Sequence, residues 1–301
     1  MRYSFKAAIS LVLISISLTL SGRLSYSQVH EKPEERYKKA VELYNRGLFE
    51  SARSEFGYLL ANLKSSRSSL ISDIEAYLTL ISIESNSPEI HSRYRIMEDR
   101  WPDSHKMSDI RLKYGSYLFN NDKFTEAFEV FSLIKTSDLT RSQINEFNFK
   151  SGYANFRTGN TQEALSKFAL LMNSTPNNYT NPAIYYTAHI HYMNRNFADA
   201  VEMFRKIGQD PRFSLLSSYY ILESKFMLKD YRYVTENGTE LYDILDGELK
   251  TKCARVVSEA FFALNDTERA EFYFEKYSFD NRNLSRKDIY YAGILSYTQK
   301  N

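Results

Sequence analysis

A six-point spacing recurs down this chain and limits its fold more than any other feature. A small residue is followed by an aromatic at +4, a turn residue at +7, an aromatic or Thr at +9, Ala at +12 and Phe at +16. One copy reads Ala40, Tyr44, Gly47, Phe49, Ala52, Phe56, and a second Gly115, Phe119, Asp122, Phe124, Ala127, Phe131. A third is Gly152, Phe156, Gly159, Thr161, Ala164, Phe168, and a fourth Ala188, Tyr192, Arg195, Phe197, Ala200, Phe204. The fifth is Ser258, Phe262, Asn265, Thr267, Ala270, Phe274. Self-similarity of this kind describes a stack of like units, each packed only on its neighbours.

Within a copy, the small residue and the aromatic four positions on share one helix face. The +7 residue is Gly, Asn or Asp in four of the five copies, as a helix end requires. A second helix then carries an aromatic, Ala and Phe. The small residues let two backbones approach closely, and the aromatics fill the space beside that contact. The chain is therefore expected to be all-α. Copies start about 35 residues apart, so the longer gaps predict degenerate copies. One is expected at 217–246, with Phe226 and Tyr231 in place but Val234 and Gly238 for Ala and Phe. Another is expected at 68–102, with Ala76 and Leu80 on the first helix and Pro88 opening the second. All six prolines, at 33, 88, 102, 176, 182 and 211, fall at such junctions.

These residues resemble the tetratricopeptide repeat, a helical hairpin of adaptor and scaffold proteins, over roughly 35–301. The first-helix Trp of that pattern is absent, and the lone Trp101 precedes Pro102. The resemblance implies a right-handed α-solenoid of stacked hairpins over 28–301, with about seven repeats and a final half repeat.

The first 27 residues read as a secretory signal. Arg2 and Lys6 begin it, Ala7 to Leu20 is apolar, and Ser25-Tyr26-Ser27 offers a cleavage site. The run is short for a membrane span, which needs about 20 apolar residues. No Cys follows the run, which speaks against a lipoprotein. The single cysteine, Cys253, reads as a structural thiol.

Without the signal, 36 basic residues face 37 acidic ones, so no strong basic field calls for nucleic acid. The basic group Arg36, Lys38, Lys39 and Arg46 reads as a solvated helix face. The ten glycines make no phosphate-binding loop, and there is no His-Glu-x-x-His and no nucleophile elbow. His189 and His191, two apart, point about 200° apart on a helix and do not share a metal. The chain is read as non-enzymatic, with no cofactor or metal. Five glycosylation sequons, at Asn173, Asn178, Asn237, Asn265 and Asn283, are read as products of a Ser- and Asn-rich turn composition.

The resemblance implies a concave face lined by first helices that holds a protein or peptide partner. Mapped by offset, its residues include Arg111, Tyr114, Leu118 and Asn121; Asn148, Ser151, Asn155 and Thr158; and Ile184, Thr187, His191 and Asn194. The first copy offers Arg36, Lys39, Leu43 and Arg46. The family's carboxylate clamp of Lys, Asn and Arg residues is not reproduced. Asn148, Ser151 and Asn155 form a polar strip suited to a peptide backbone. The last copy stops at Asn301 where its turn should be, so Ile289, Tyr290 and Ile294 are expected to lack a covering helix. A longer parent chain, or self-association through that helix, follows as an expectation. The function expected is an exported scaffold of the bacterial periplasm or cell envelope, with membrane contact only through a partner or an uncleaved signal. The sensory part of a larger membrane receptor is the second reading. Glycan capture is the third, against which the missing lipid-accepting Cys speaks.

Overall fold

Fifteen helices make up the described part of the chain, residues 32–63, 68–280 and 284–298 of a computed structural model. The expected signal at 1–27 and the sequon at Asn283 lie outside the described residues. Hairpins form in sequence order. They are α1 (Pro33–Asn45) with α2 (Phe49–Asn62), and α3 (Ser68–Glu84) with α4 (Ile90–Arg100). Next come α5 (Met107–Asn120) with α6 (Phe124–Ser132), and α7 (Arg141–Arg157) with α8 (Thr161–Met172). Then follow α9 (Thr180–Met193) with α10 (Phe197–Arg205), and α11 (Ser214–Met227) with α12 (Tyr231–Ile244). The last pair is α13 (Gly247–Ala263) with α14 (Thr267–Asp280), followed by α15 (Arg286–Thr298). The fold is all-α, and no strand occurs among the described residues.

The chain divides into two units, one ending at Met107 and one beginning at Ser108. In the first, α1 packs on its partner α2 and on α3. In the second, α7 packs on α8 and α9, α9 on α10 and α11, and α11 on α12 and α13. In these hairpins the first helix touches its own partner and the first helix of the next hairpin, the neighbour-only packing of an α-solenoid.

All seven hairpin turns are built alike. The +7 residue is left-handed in every one: Gly47, Asn86, Asp122, Gly159, Arg195, Lys229 and Asn265 have φ between 49° and 85°. The next residue's N–H then closes a six-to-one hydrogen bond onto the first helix, as from Leu48 to the Leu43 carbonyl at 2.9 Å and from Asp230 to Lys225 at 2.9 Å. This is the Schellman arrangement, which satisfies carbonyls that a helix end leaves open.

The motif residues are the core. Ala52, Ala127, Ala164, Ala200 and Ala270 are fully buried, as are Phe56, Phe131, Phe168 and Phe204. Full burial of one such phenyl ring contributes roughly 1.5–3 kcal/mol. The need for a small first-helix residue is direct: a Cβ added at Gly115 would lie 2.5 Å from the Phe131 ring, and one at Gly152 2.8 Å from Phe168. Cys253 is buried, its thiol pushed up to about 12 by burial, and Sγ donates to the Gly238 carbonyl.

The degenerate copy at 68–102 differs from expectation in register. Its turn sits at Asn86, so the small position is Thr79, three residues after Ala76. The second helix starts at Ile90 rather than Pro88, and Ile90, Tyr94 and Met97 are its buried residues. Ile90 stands four residues after the turn residue, whereas Ala52 stands five after Gly47. A branched side chain replaces Ala at the crossing, one position early.

Candidate functional site

On a helix advancing roughly 100° per residue, two flanks lie either side of the small residue. Positions −3, +1, +4 and +5 occupy one, and −4, −1, +3 and +6 the other. The sequence-derived strip follows the second flank, which the structure turns inward. Tyr114, Asn148, Ser151, Asn155, Ile184 and Thr187 are buried. Arg111 and His191 are half-buried, while Asn121 and Asn194, just past the ends of α5 and α9, are exposed. The Asn155 amide donates to the Ser151 carbonyl of its own helix at 2.9 Å. Arg111 donates to the Leu133 carbonyl at 3.1 Å. Polar groups expected to meet a peptide backbone are thus enclosed within the hairpins.

The opposite flank opens to solvent in the second unit. There α11 presents Tyr219, Glu223, Phe226 and Met227, the −3, +1, +4 and +5 positions about Leu222. The same offsets about Ser258 on α13 give Arg255, Glu259, Phe262 and Ala263. Those about Gly293 on α15 give Tyr290 and Ile294. These residues line two cavities of about 280 and 260 Å³ that share Phe226, Glu259 and Lys287, and so form one groove. The +4 aromatic of the repeat motif was the available sequence signal for this flank, since Phe226 and Phe262 both sit on it.

Charge in the groove is paired. Arg255 donates to Glu259 at 3.1 Å and lies 3.7 Å from Asp288, while the Lys287 ammonium is 3.9 Å from Glu259. Asp288 is buried, which acts to raise its pKa. Hydrogen bonds from the Ser285 hydroxyl and N–H, and the Arg255 charge, outweigh that and hold it low. Burial, and then the Glu223 carboxylate they bond to, push the Tyr192 and Tyr219 hydroxyls far above the usual tyrosine range. Tyr291 is pushed up to about 12 by burial.

Upstream the same flank is aromatic. Tyr153 stands 4.8 Å from Tyr186, Tyr192 stands 5.0 Å from Tyr220, and the His189 ring is 5.2 Å from Tyr220. Burial lowers the His189 pKa, so the ring is neutral at pH 7. Among the described residues no three His, Cys, Asp or Glu side chains gather as a metal site, and no helix is long and apolar enough to cross a membrane.

No protein-family model matches the chain, and no curated protein matches it. Solved structures do. The C-terminal part of a TPR repeat-containing protein from Cytophaga hutchinsonii is similar at a TM-score of 0.54 and 13% identity, over 84% of this chain and 98% of that one. MamA from AMB-1 is similar at 0.51 and 11%, over 60% of this chain and 94% of that one. A signal-transduction ATPase with a tetratricopeptide repeat sensor from Pyrococcus horikoshii is similar at 0.51 and 14%, over 83% of this chain and 42% of that one.

Proposed function

We propose that this chain, which has the tetratricopeptide-repeat fold, is a recognition scaffold that holds a protein or peptide segment in the groove between α11, α13 and α15. One observation carries the reading: equivalent positions of three successive first helices converge on adjoining cavities in the second unit. Met227 and Tyr290 are 41% and 72% exposed there, beside the charges of Arg255, Glu259 and Lys287. Apolar side chains left in water and rimmed by charge support a protein interface. The groove's carboxylates are held in ion pairs and tyrosine hydrogen bonds, which suits recognition and not acid–base work.

The reading includes export. The basic start and apolar run before Ser27 support a leader, and with the single buried Cys253 they support work in the bacterial periplasm or cell envelope. A second reading, that the repeats sense a signal for a larger receptor, has the support of the likeness to the Pyrococcus ATPase, whose repeats are named a sensor.

Exposed groove positions give the test. Met227→Arg with Ala263→Arg should leave the melt of the full chain within about 0.5 kcal/mol of wild type, as surface changes do. It should abolish retention of whatever wild-type protein holds in the envelope fraction of its source. Undiminished retention would overturn the groove assignment.

A further inference from the structure

The 260 Å³ cavity has a lining unlike that of a plain apolar slot. Five aromatic rings surround it: Phe226 and Tyr231 from the α11–α12 hairpin, Phe262 from α13, and Tyr290 and Tyr291 from α15. Two carboxylates, Glu259 and Asp288, complete it, with Lys287 as its one cation among the described lining residues. The rings stand as inclined walls, not as a flat stack. Phe226 and Tyr231 lie 5.5 Å apart at 59°, and Phe262 and Tyr291 lie 5.4 Å apart at 87°.

We infer that this cavity takes a cationic side chain, the ammonium or guanidinium of a lysine or arginine in the segment that the groove binds. The inference rests on the recognition reading above. Aromatic faces carry negative potential and attract a cation most strongly when water is excluded. Two carboxylate edges in the same wall add to that field, offset in part by Arg255, which bonds Glu259 at 3.1 Å and lies 3.7 Å from Asp288. An apolar anchor would draw nothing from that field. The protein uses the same chemistry elsewhere, with Arg157 4.3 Å above Phe124 and Arg269 4.4 Å above Phe261. No cation of the described chain lies over any of the cavity's five rings. The Lys287 side chain is 73% exposed and only reaches the mouth, at 3.9 Å from Glu259. It competes with an incoming charge rather than filling the cavity.

That arrangement fixes the sign of each test. The full chain, labelled on tyrosine rings, is titrated with Nα-acetyl-arginine amide, Nα-acetyl-lysine amide and the neutral isostere Nα-acetyl-norleucine amide, and ring resonances are followed. Both cationic probes should shift Tyr231, Tyr290 and Tyr291, and the norleucine probe should not. Glu259→Gln, and Tyr290→Ala at an exposed wall, should each weaken cationic binding about threefold or more, the scale of a partly desolvated cation–π or charge contact. Lys287→Met should strengthen it about twofold or more by removing the competing charge. A norleucine probe that binds as tightly, weakening by Lys287→Met, or no shift with any probe would overturn the inference. Any of these would leave the Met227/Ala263 test of recognition standing, so the two readings fail separately.

Discussion

Leu222 and Gly238 pack together across the α11–α12 hairpin with the sizes of Gly115 and Phe131 reversed. In regular hairpins the first helix is small and the second supplies Phe sixteen residues on. Here Leu fills the first position, 1% exposed, and a Cβ added at Gly238 would lie 3.2 Å from Leu222 Cδ1 and 2.6 Å from Val257 Cγ2. The crossing is filled from the other side, so the hairpin keeps its form while losing its sequence signature.

The swap makes the two positions non-additive. Leu222→Gly should leave a cavity and destabilise by about 2–5 kcal/mol, and Gly238→Phe should overpack against Leu222 and Val257 by about 1–3 kcal/mol or more. The double variant should be more stable than the sum of the singles by about 1–3 kcal/mol. Urea midpoints of the four proteins measure this, and strict additivity would mean that the two side chains do not share one space.

Two turns carry avoidable strain. Arg195 and Lys229 hold φ of 63° and 62°, where a side chain costs roughly 1–2 kcal/mol relative to glycine. Some of that is offset by the freer unfolded chain that glycine gives. Arg195→Gly and Lys229→Gly should each raise stability by about 0.5–1 kcal/mol, read as a higher melting temperature.

Five of the seven hairpins were legible because their small, Ala and Phe positions keep their chemistry. The other two were found only by spacing, and for different reasons. Around Leu222 the volumes are exchanged between helices. Around Thr79 a β-branched Ile90 moves the crossing by one residue, and Ala76, one helix turn earlier, mimics the small position. The polar strip expected on the concave face lies on the buried flank. Asn148, Ser151 and Asn155 look solvent-facing because they are polar, yet helix phase sets burial. A three-residue polar strip inside a repeat solenoid is enclosed as readily as exposed, and here the Asn155 amide closes onto the Ser151 carbonyl of its own helix. Which hairpins carry cavities was not legible, since cavity shape depends on packing between hairpins that offsets do not encode.

Glu146 should make the second unit acid-sensitive. Burial acts to raise its pKa, but Lys150 at 2.7 Å and the Ser116 hydroxyl at 3.0 Å prevail and hold it below 4.5. A depressed folded pKa contributes stability above the unfolded value and loses it as pH falls through the folded one. Wild type should therefore lose stability below about pH 4.5, while Glu146→Gln, weaker at pH 7, should approach it in acid. Urea unfolding from about pH 7 down to pH 3 checks the convergence, and parallel curves would contradict it.

The central claim is that a bound segment lies along the flank of Glu223, Met227, Glu259 and Ala263. Its most direct test replaces one exposed residue at a time with a photo-crosslinking amino acid, at Met227 on that flank and at Asn194 on the other. After irradiation in a lysate of its source cells, position 227 should yield a discrete crosslinked partner and position 194 none. Equal crosslinking at both positions, or a partner captured only at 194, would contradict the account.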